Sequence, residues 1–299
     1  MEYFQKLRST VTKVSSTVSS VLPGNPVTRE YEPLQHIASA GPGLMWKIYS
    51  GYKKSTKQEV AIWLFEKRLV EQWPRRDRES LLETLKRGVH QLTRLRHPRL
   101  LVVEHPLEES RESYAFATEP VFCSLANALG RVDNMPALVP TGITELTFED
   151  VEIRHGLFQL TEALCFLHND AKILHRNICP FSVVVNRSGS WKLGGFDFCV
   201  SPTNPGEQFP VYPVAEYDPE LHPACQTLLD YMAPEYVIGE RADTASDLFS
   251  LGVLAYAVFN KGRTVMCNGN NLTTFRKNAA EVLDFLEELF FLEGVPFFG

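Results

Sequence analysis

No two of the six cysteines (Cys123, Cys165, Cys179, Cys199, Cys225 and Cys267) form a Cys-x-x-Cys pair, so neither a zinc spacing nor a disulfide framework is present. That usage fits a reducing compartment. Long hydrophobic runs are missing too: nothing approaches the run of about 18 apolar residues that a spanning helix requires. The N-terminal stretch is rich in Ser and Thr and lacks the apolar centre of a secretory signal, so a cytosolic chain is expected. There is no basic excess. Thirty Lys plus Arg face 36 Asp plus Glu, a net charge of −6, which argues against nucleic acid as a partner. What is present is ordinary for a packed globular chain: 44% hydrophobic and 22% charged residues in a length of 299, enough for one or two domains.

The pattern divides the chain into four segments. In residues 1–29, Phe4, Leu7, Val11, Val14, Val18 and Val21 recur at spacings of three and four, one face of a helix, before Pro23-Gly24-Asn25-Pro26 ends it. Four basic residues against one acid would suit a peripheral membrane contact through residues 2–22. Packing of the Val stripe on the following domain is the favoured alternative, because interfacial helices carry bulkier Trp, Phe or Leu faces. Residues 30–120 read mainly as strands: around Ile37, at 45–49, 59–65, 100–103 and 114–117. A helix is expected over 78–95, with Leu81, Leu82, Leu85, Val89, Leu92 and Leu95 on one stripe. Residues 121–262 turn helical, at 151–167 and 244–259, with 131–148 expected as a surface insertion and 201–223, holding six prolines, as a long loop. Residues 263–299 form a divergent tail whose stretch 279–292 is expected to be an apolar helix docked on the segment 251–259. A strand-rich lobe followed by a helical lobe is an α+β arrangement.

Seven short motifs then appear in order. They are Ala38-Ser39-Ala40-Gly41-Pro42-Gly43, Val60-Ala61-Ile62-Trp63, Leu95-Arg96-His97-Pro98 and His175-Arg176-Asn177. Lys192-Leu193-Gly194-Gly195-Phe196-Asp197, Ala233-Pro234-Glu235 and Asp247-Leu248-Phe249-Ser250-Leu251-Gly252 complete the series. Each alone is weak; together, at these separations, they resemble the protein-kinase family over about residues 30–262 and imply its two-lobed fold. Phosphoryl transfer depends on a few charges in fixed places, and the resemblance puts other residues there. Trp63 stands for the phosphate-binding lysine and Gly88 for the glutamate that pairs with it. Asn177 stands for the catalytic aspartate, Cys179 for the loop lysine, Ser182 for a metal-binding asparagine and Gly195 for the magnesium-binding aspartate. Of the glycine-rich loop only Gly43 is kept, with Ala38 and Ala40 replacing the first two glycines. An amide at position 177 cannot act as a base, and Gly195 offers magnesium no carboxylate. A mid-helix Gly88 suggests close packing instead of charge pairing.

His175, Glu235 and Asp247 match positions that hold the family's frame together. Further wording, such as Gly24-Asn25-Pro26-Val27-Thr28-Arg29-Glu30 and Gly195-Phe196-Asp197-Phe198-Cys199-Val200-Ser201, resembles the Scy-like pseudokinases. That resemblance implies a domain without catalysis and without ATP or magnesium. It further implies a cytoplasmic scaffold, peripheral on coated vesicles, Golgi and endosomes, that contacts clathrin and its plasma-membrane adaptor complex. An alternative of a different class is a residual kinase or nucleotide sensor using displaced groups: Lys47 on the second strand, two residues after Met45 and so expected on the same face, and Asp197, two residues after Gly195. The resemblance fades after Lys261-Gly262, so the helical lobe reads as shortened. Glu235 is then expected at a buried corner in need of an arginine, with Arg263 and Arg276 as candidates.

Overall fold

The computed structural model describes residues 24–204, 206–207, 210–213, 216–238, 242–267, 269 and 271–280. Five strands form one antiparallel sheet in the order β1-β2-β3-β5-β4: β1 Tyr31–Ala40, β2 Trp46–Lys53, β3 Glu59–Glu66, β4 Val103–Glu109 and β5 Ser113–Thr118. Alternation along the strands separates two apolar faces. Trp46, Ile48, Ala61, Trp63, Phe65 and Phe116 enter the main core. Tyr49, Ile62, Leu64, Ala115 and Ala117 form a second, smaller one, closed by Val27 and Tyr31. Asn25 ties that end down, its side-chain amide donating to Ser113 Oγ at 3.1 Å.

Helix α1 (Arg75–Arg94) crosses the main-core side of the sheet, burying Leu81, Leu85, Val89 and Leu92 at helical spacing. It starts three residues earlier than the periodicity suggests, directly after Pro74, whose extended backbone sets the boundary. The strand expected over 100–103 is displaced. Leu100 makes only an isolated bridge to Leu193, and β4 begins at Val103. Pro106 lies inside β4, which is tolerated because β4 is an edge strand and its register shifts there.

The second lobe is built on α2 (Asp150–Phe166) and α3 (Thr244–Phe259). Helix α2 opens with a capping box between Glu149 and Glu152, and the Asp243 carboxylate caps α3 by accepting from the Ala245 amide. A small sheet, β6 (Cys123–Ser124), β7 (Val183–Val185) and β8 (Trp191–Leu193), lies beside them. Its strands are too short for an alternation signal. Trp191 explains Gly156 in α2, since a Cβ there would sit 2.2 Å from the indole. The described part of 201–222 carries no helix or strand. The segment 131–148 is more than a surface insertion: it contains the turn Thr141–Thr144, which buries Ile143.

Residues 272–280 are helical, with Phe275 fully buried. The expected membrane segment 2–22 and the greater part of the expected tail helix, 281–292, lie outside the described residues. Leu248, Tyr256 and Phe259 are exposed along α3. Among the described residues no helix is long and apolar enough to cross a membrane.

Candidate functional site

The cleft between the lobes is occupied by aromatic side chains from the sheet. Trp63 on β3 is 5% exposed and stacks on Phe116 with ring centroids 5.3 Å apart. Its indole N–H donates to Thr118 Oγ1 at 2.9 Å, and that hydroxyl donates onward to the Glu119 carbonyl, so the ring's single polar atom is satisfied in the buried position. Trp46 meets Phe116 edge-on at 5.1 Å. Behind these rings a cavity of about 30 Å³ remains, lined by Gly88, Ser182, Gly195 and Asp197 among others, with room for a water or two.

The β1–β2 hairpin lies over this stack. Ala38 and Ala40 are buried in the main core, and Gly41 adopts φ +71° with Trp46 directly beneath it; a Cβ there would fall 2.5 Å from the indole Cδ1. Gly43, at φ +57°, occupies a turn with Pro42 and Leu44. The hairpin tip is fastened to the second lobe. The Gly41 amide donates to the Phe181 carbonyl at 2.9 Å, and the Ser39 amide donates to Asn127 Oδ1 at the same distance.

Gly88, in the middle of α1, meets the turn that carries Asp197. A Cβ at position 88 would lie 2.5 Å from Asp197 Oδ1 and 2.9 Å from its backbone N and Cα. The neighbouring Arg87 donates to the Asp197 carbonyl at 3.0 Å. Burial pushes the Asp197 carboxyl up to about 7, opposed by its own backbone N–H and by Arg87. Helix α1 therefore bears on the Phe196–Phe198 turn through glycine and backbone, where an ion pair would have needed a glutamate.

The loop from His175 to Ser182 bonds mainly to itself and to the frame. Asn177 Nδ2 donates to the Gly195 carbonyl at 3.0 Å. The Ser182 hydroxyl lies against the carbonyls of Asn177 and Cys179, and the Cys179 thiol against Asn177 Oδ1. Burial raises that thiol to about 11, so it is no thiolate. Gly195 has φ +65°, and a Cβ there would meet Ser182 Cβ at 2.5 Å. Asp247, at the start of α3, accepts from the backbone amides of His175 (2.8 Å) and Arg176 (2.7 Å) and faces His168 Nε2 at 2.9 Å. His175 in turn faces the Gly194 carbonyl at 2.8 Å, and burial lowers its imidazole to about 4.

Two expectations need correction. Glu235 is not a buried carboxylate waiting for an arginine; it is half-buried and accepts from the Ser246 hydroxyl on α3. Lys47 is not on the cleft face. Trp46 and Ile48 of β2 join the main core on the cleft side, so Lys47 between them lies on the opposite face, where it pairs with Glu66. Of the two displaced groups only Asp197 reaches the cavity. Sequence reasoning also missed Ser39, Asn127 and Asn134, which join the lobes across the hairpin tip. The polar Asn127, inside an apolar run with Leu125 and Ala126, was the available signal. Among the described residues, no group of three His, Cys, Asp or Glu side chains is placed to hold a metal ion.

Residues 34–290 match the protein kinase domain. The chain is 54% identical over 260 residues to SCY1-like protein 2 of Homo sapiens, covering 87% of this chain and 28% of that protein. It is 36% identical over 243 residues to the protein kinase domain-containing protein ppk32 of Schizosaccharomyces pombe, covering 78% and 32%. A probable inactive serine/threonine-protein kinase scy1 of Dictyostelium discoideum is 32% identical over 154 residues, covering 52% and 16%. The chain thus spans about a third or less of the length of these relatives. With the two-lobed fold, the ordered motifs and these identities together, the chain belongs to the protein-kinase domain family and, within it, to the Scy1-like pseudokinases.

Proposed function

We propose that this chain is a catalytically inactive kinase-like domain that serves as a scaffold in clathrin-linked vesicle traffic. The observation that carries the inactive reading is the aromatic stack of Trp46, Trp63 and Phe116 under a fastened hairpin. Small-molecule pockets run from roughly 300 Å³ upward, whereas the cavity here is about 30 Å³. A magnesium nucleotide does not fit these residues. Its lysine position is an indole, its metal position is Gly195, and Asn177 at the base position is engaged with the Gly195 carbonyl. Asp197, the one acid lining the cavity, is held towards the neutral form by burial, opposite to what a metal ligand requires.

The adaptor role rests on the resemblance to Scy-like proteins, and it names clathrin and its plasma-membrane adaptor complex as partners on coated vesicles, Golgi and endosomes. Two experiments test the two halves. Radiolabelled ATP with magnesium or manganese should give no phosphate transfer to the chain or to generic substrates; transfer lost on Asp197→Ala contradicts the inactive reading. Purified clathrin and adaptor complex should be retained on the immobilised chain; absence of retention removes the adaptor reading and leaves the inactive one standing.

A further inference from the structure

The tip of the β1–β2 hairpin is held by side chains from a segment that neither the motifs nor the family's catalytic positions include. Asn127 sits just after the small strand β6, its backbone fixed by the Ser124 cap at 3.1 Å. Its Oδ1 accepts from the Ser39 amide at 2.9 Å, and its Nδ2 donates to Ser39 Oγ at 3.0 Å and to the Arg131 carbonyl at 2.8 Å. Ser39 Oγ donates to the Asp133 carbonyl at 2.8 Å. Asn134, itself at φ +57°, donates to the carbonyls of Leu44 and Met45 at 3.1 and 3.2 Å.

Both asparagine amides therefore reach backbone groups of the other lobe, and Ser39 and Asn127 are 0% and 1% exposed. Leu44 carries the strain of this arrangement. It is fully buried at φ +55°, a left-handed conformation that non-glycine residues rarely adopt and that persists only where surroundings over-determine it.

We propose that Asn127 and Asn134 form an interlobe clamp that takes over, with protein groups, the bridging a nucleotide would otherwise provide, and holds the two lobes in one fixed relation. This rests on the inactive reading of the cleft. Fastened in this way, the tip covers Trp46 and keeps Leu44 in its left-handed conformation. A fixed relation between lobes also presents one continuous surface to a binding partner, at lower ordering cost.

Hydrogen exchange across residues 37–46, with acrylamide quenching of tryptophan fluorescence, tests the clamp on the full chain without nucleotide, so the result bears on the clamp alone. In the Asn127→Ala/Asn134→Ala variant, exchange at Ser39 and Gly41 should accelerate roughly tenfold or more. Quenching should rise while β3 and β5 keep their protection. Asn127→Asp retains the oxygen for the Ser39 amide but loses both donated bonds, and should fall between the two. Unchanged exchange at Ser39 and Gly41 in the double variant overturns the proposal. Loss of protection throughout the sheet in both variants also overturns it, because Asn127 would then be a general core residue and no clamp.

Discussion

Replacing Gly88 with alanine separates two opposed effects. In the interior of an exposed helix the change would stabilise by about 1 kcal/mol, through helix propensity alone. Here the added methyl would lie 2.5 Å from Asp197 Oδ1 and 2.9 Å from the backbone N and Cα of the same residue. A flexible carboxylate could turn away, but the backbone atoms belong to the turn Phe196–Phe198, which is itself packed into the core. Overpacking of this kind costs about 1–3 kcal/mol, so against the propensity gain of about 1 kcal/mol the net effect runs from neutral to a loss of about 2 kcal/mol. Urea unfolding followed by circular dichroism reads it as a lower midpoint at unchanged slope. Adding Asp197→Gly removes the nearest contact and should recover part of the loss, leaving the backbone contacts. A midpoint raised by Gly88→Ala would show that α1 does not bear on this turn and would refute the reasoning.

Stability should also depend on pH through Asp197. Its folded value, about 7, lies above the ordinary 3.8, so its contribution is full below 3.8 and is lost as pH rises through 7. His175 acts in the opposite sense: its folded value near 4 lies below 6.5, so its contribution is lost as pH falls from 6.5 towards 4. The difference in melting temperature between the native chain and Asp197→Asn, measured from pH 4 to 8, isolates the first effect; the variant should gain relative stability as pH rises, and a flat difference contradicts this. Asp247→Ala leaves two backbone amides without their acceptor and should destabilise by about 1–3 kcal/mol for each. Asp247→Asn keeps the shape and one acceptor oxygen and should lose less but still measurably; no loss in this isosteric variant would show that the carboxylate merely fills space.

Most of the frame was legible because its signals are local. The stripe Leu81, Leu85, Val89 and Leu92 gives α1, and the run 244–259 gives α3 with its bounds as found. The kinase motifs fix the order of the parts, and Gly88 could be read as a packing glycine because nothing else explains it in mid-helix. Other features depend on partners distant in sequence. Alternation assigns Lys47 to the face of Met45, but Met45 is in the helical region and precedes β2, so the alternation does not run back to it. Glu235 was judged from the family's arginine pairing, while a serine eleven residues on satisfies it locally. The short strands β6 to β8 and the Ser39–Asn127 contact, 88 residues apart, leave no periodicity to detect.

Direct titration with magnesium-ATP bears most closely on the central claim, that the cleft of this kinase frame is filled by its own side chains. Ligand at 100 times its dissociation constant would stabilise the fold by about 2.7 kcal/mol, a readily visible melting shift. The account predicts no saturable heat and no magnesium-dependent shift, for the native chain and equally for Trp63→Lys, because Gly195 still leaves the metal unheld. Stoichiometric, magnesium-dependent binding by the native chain, abolished by Asp197→Ala, would contradict it.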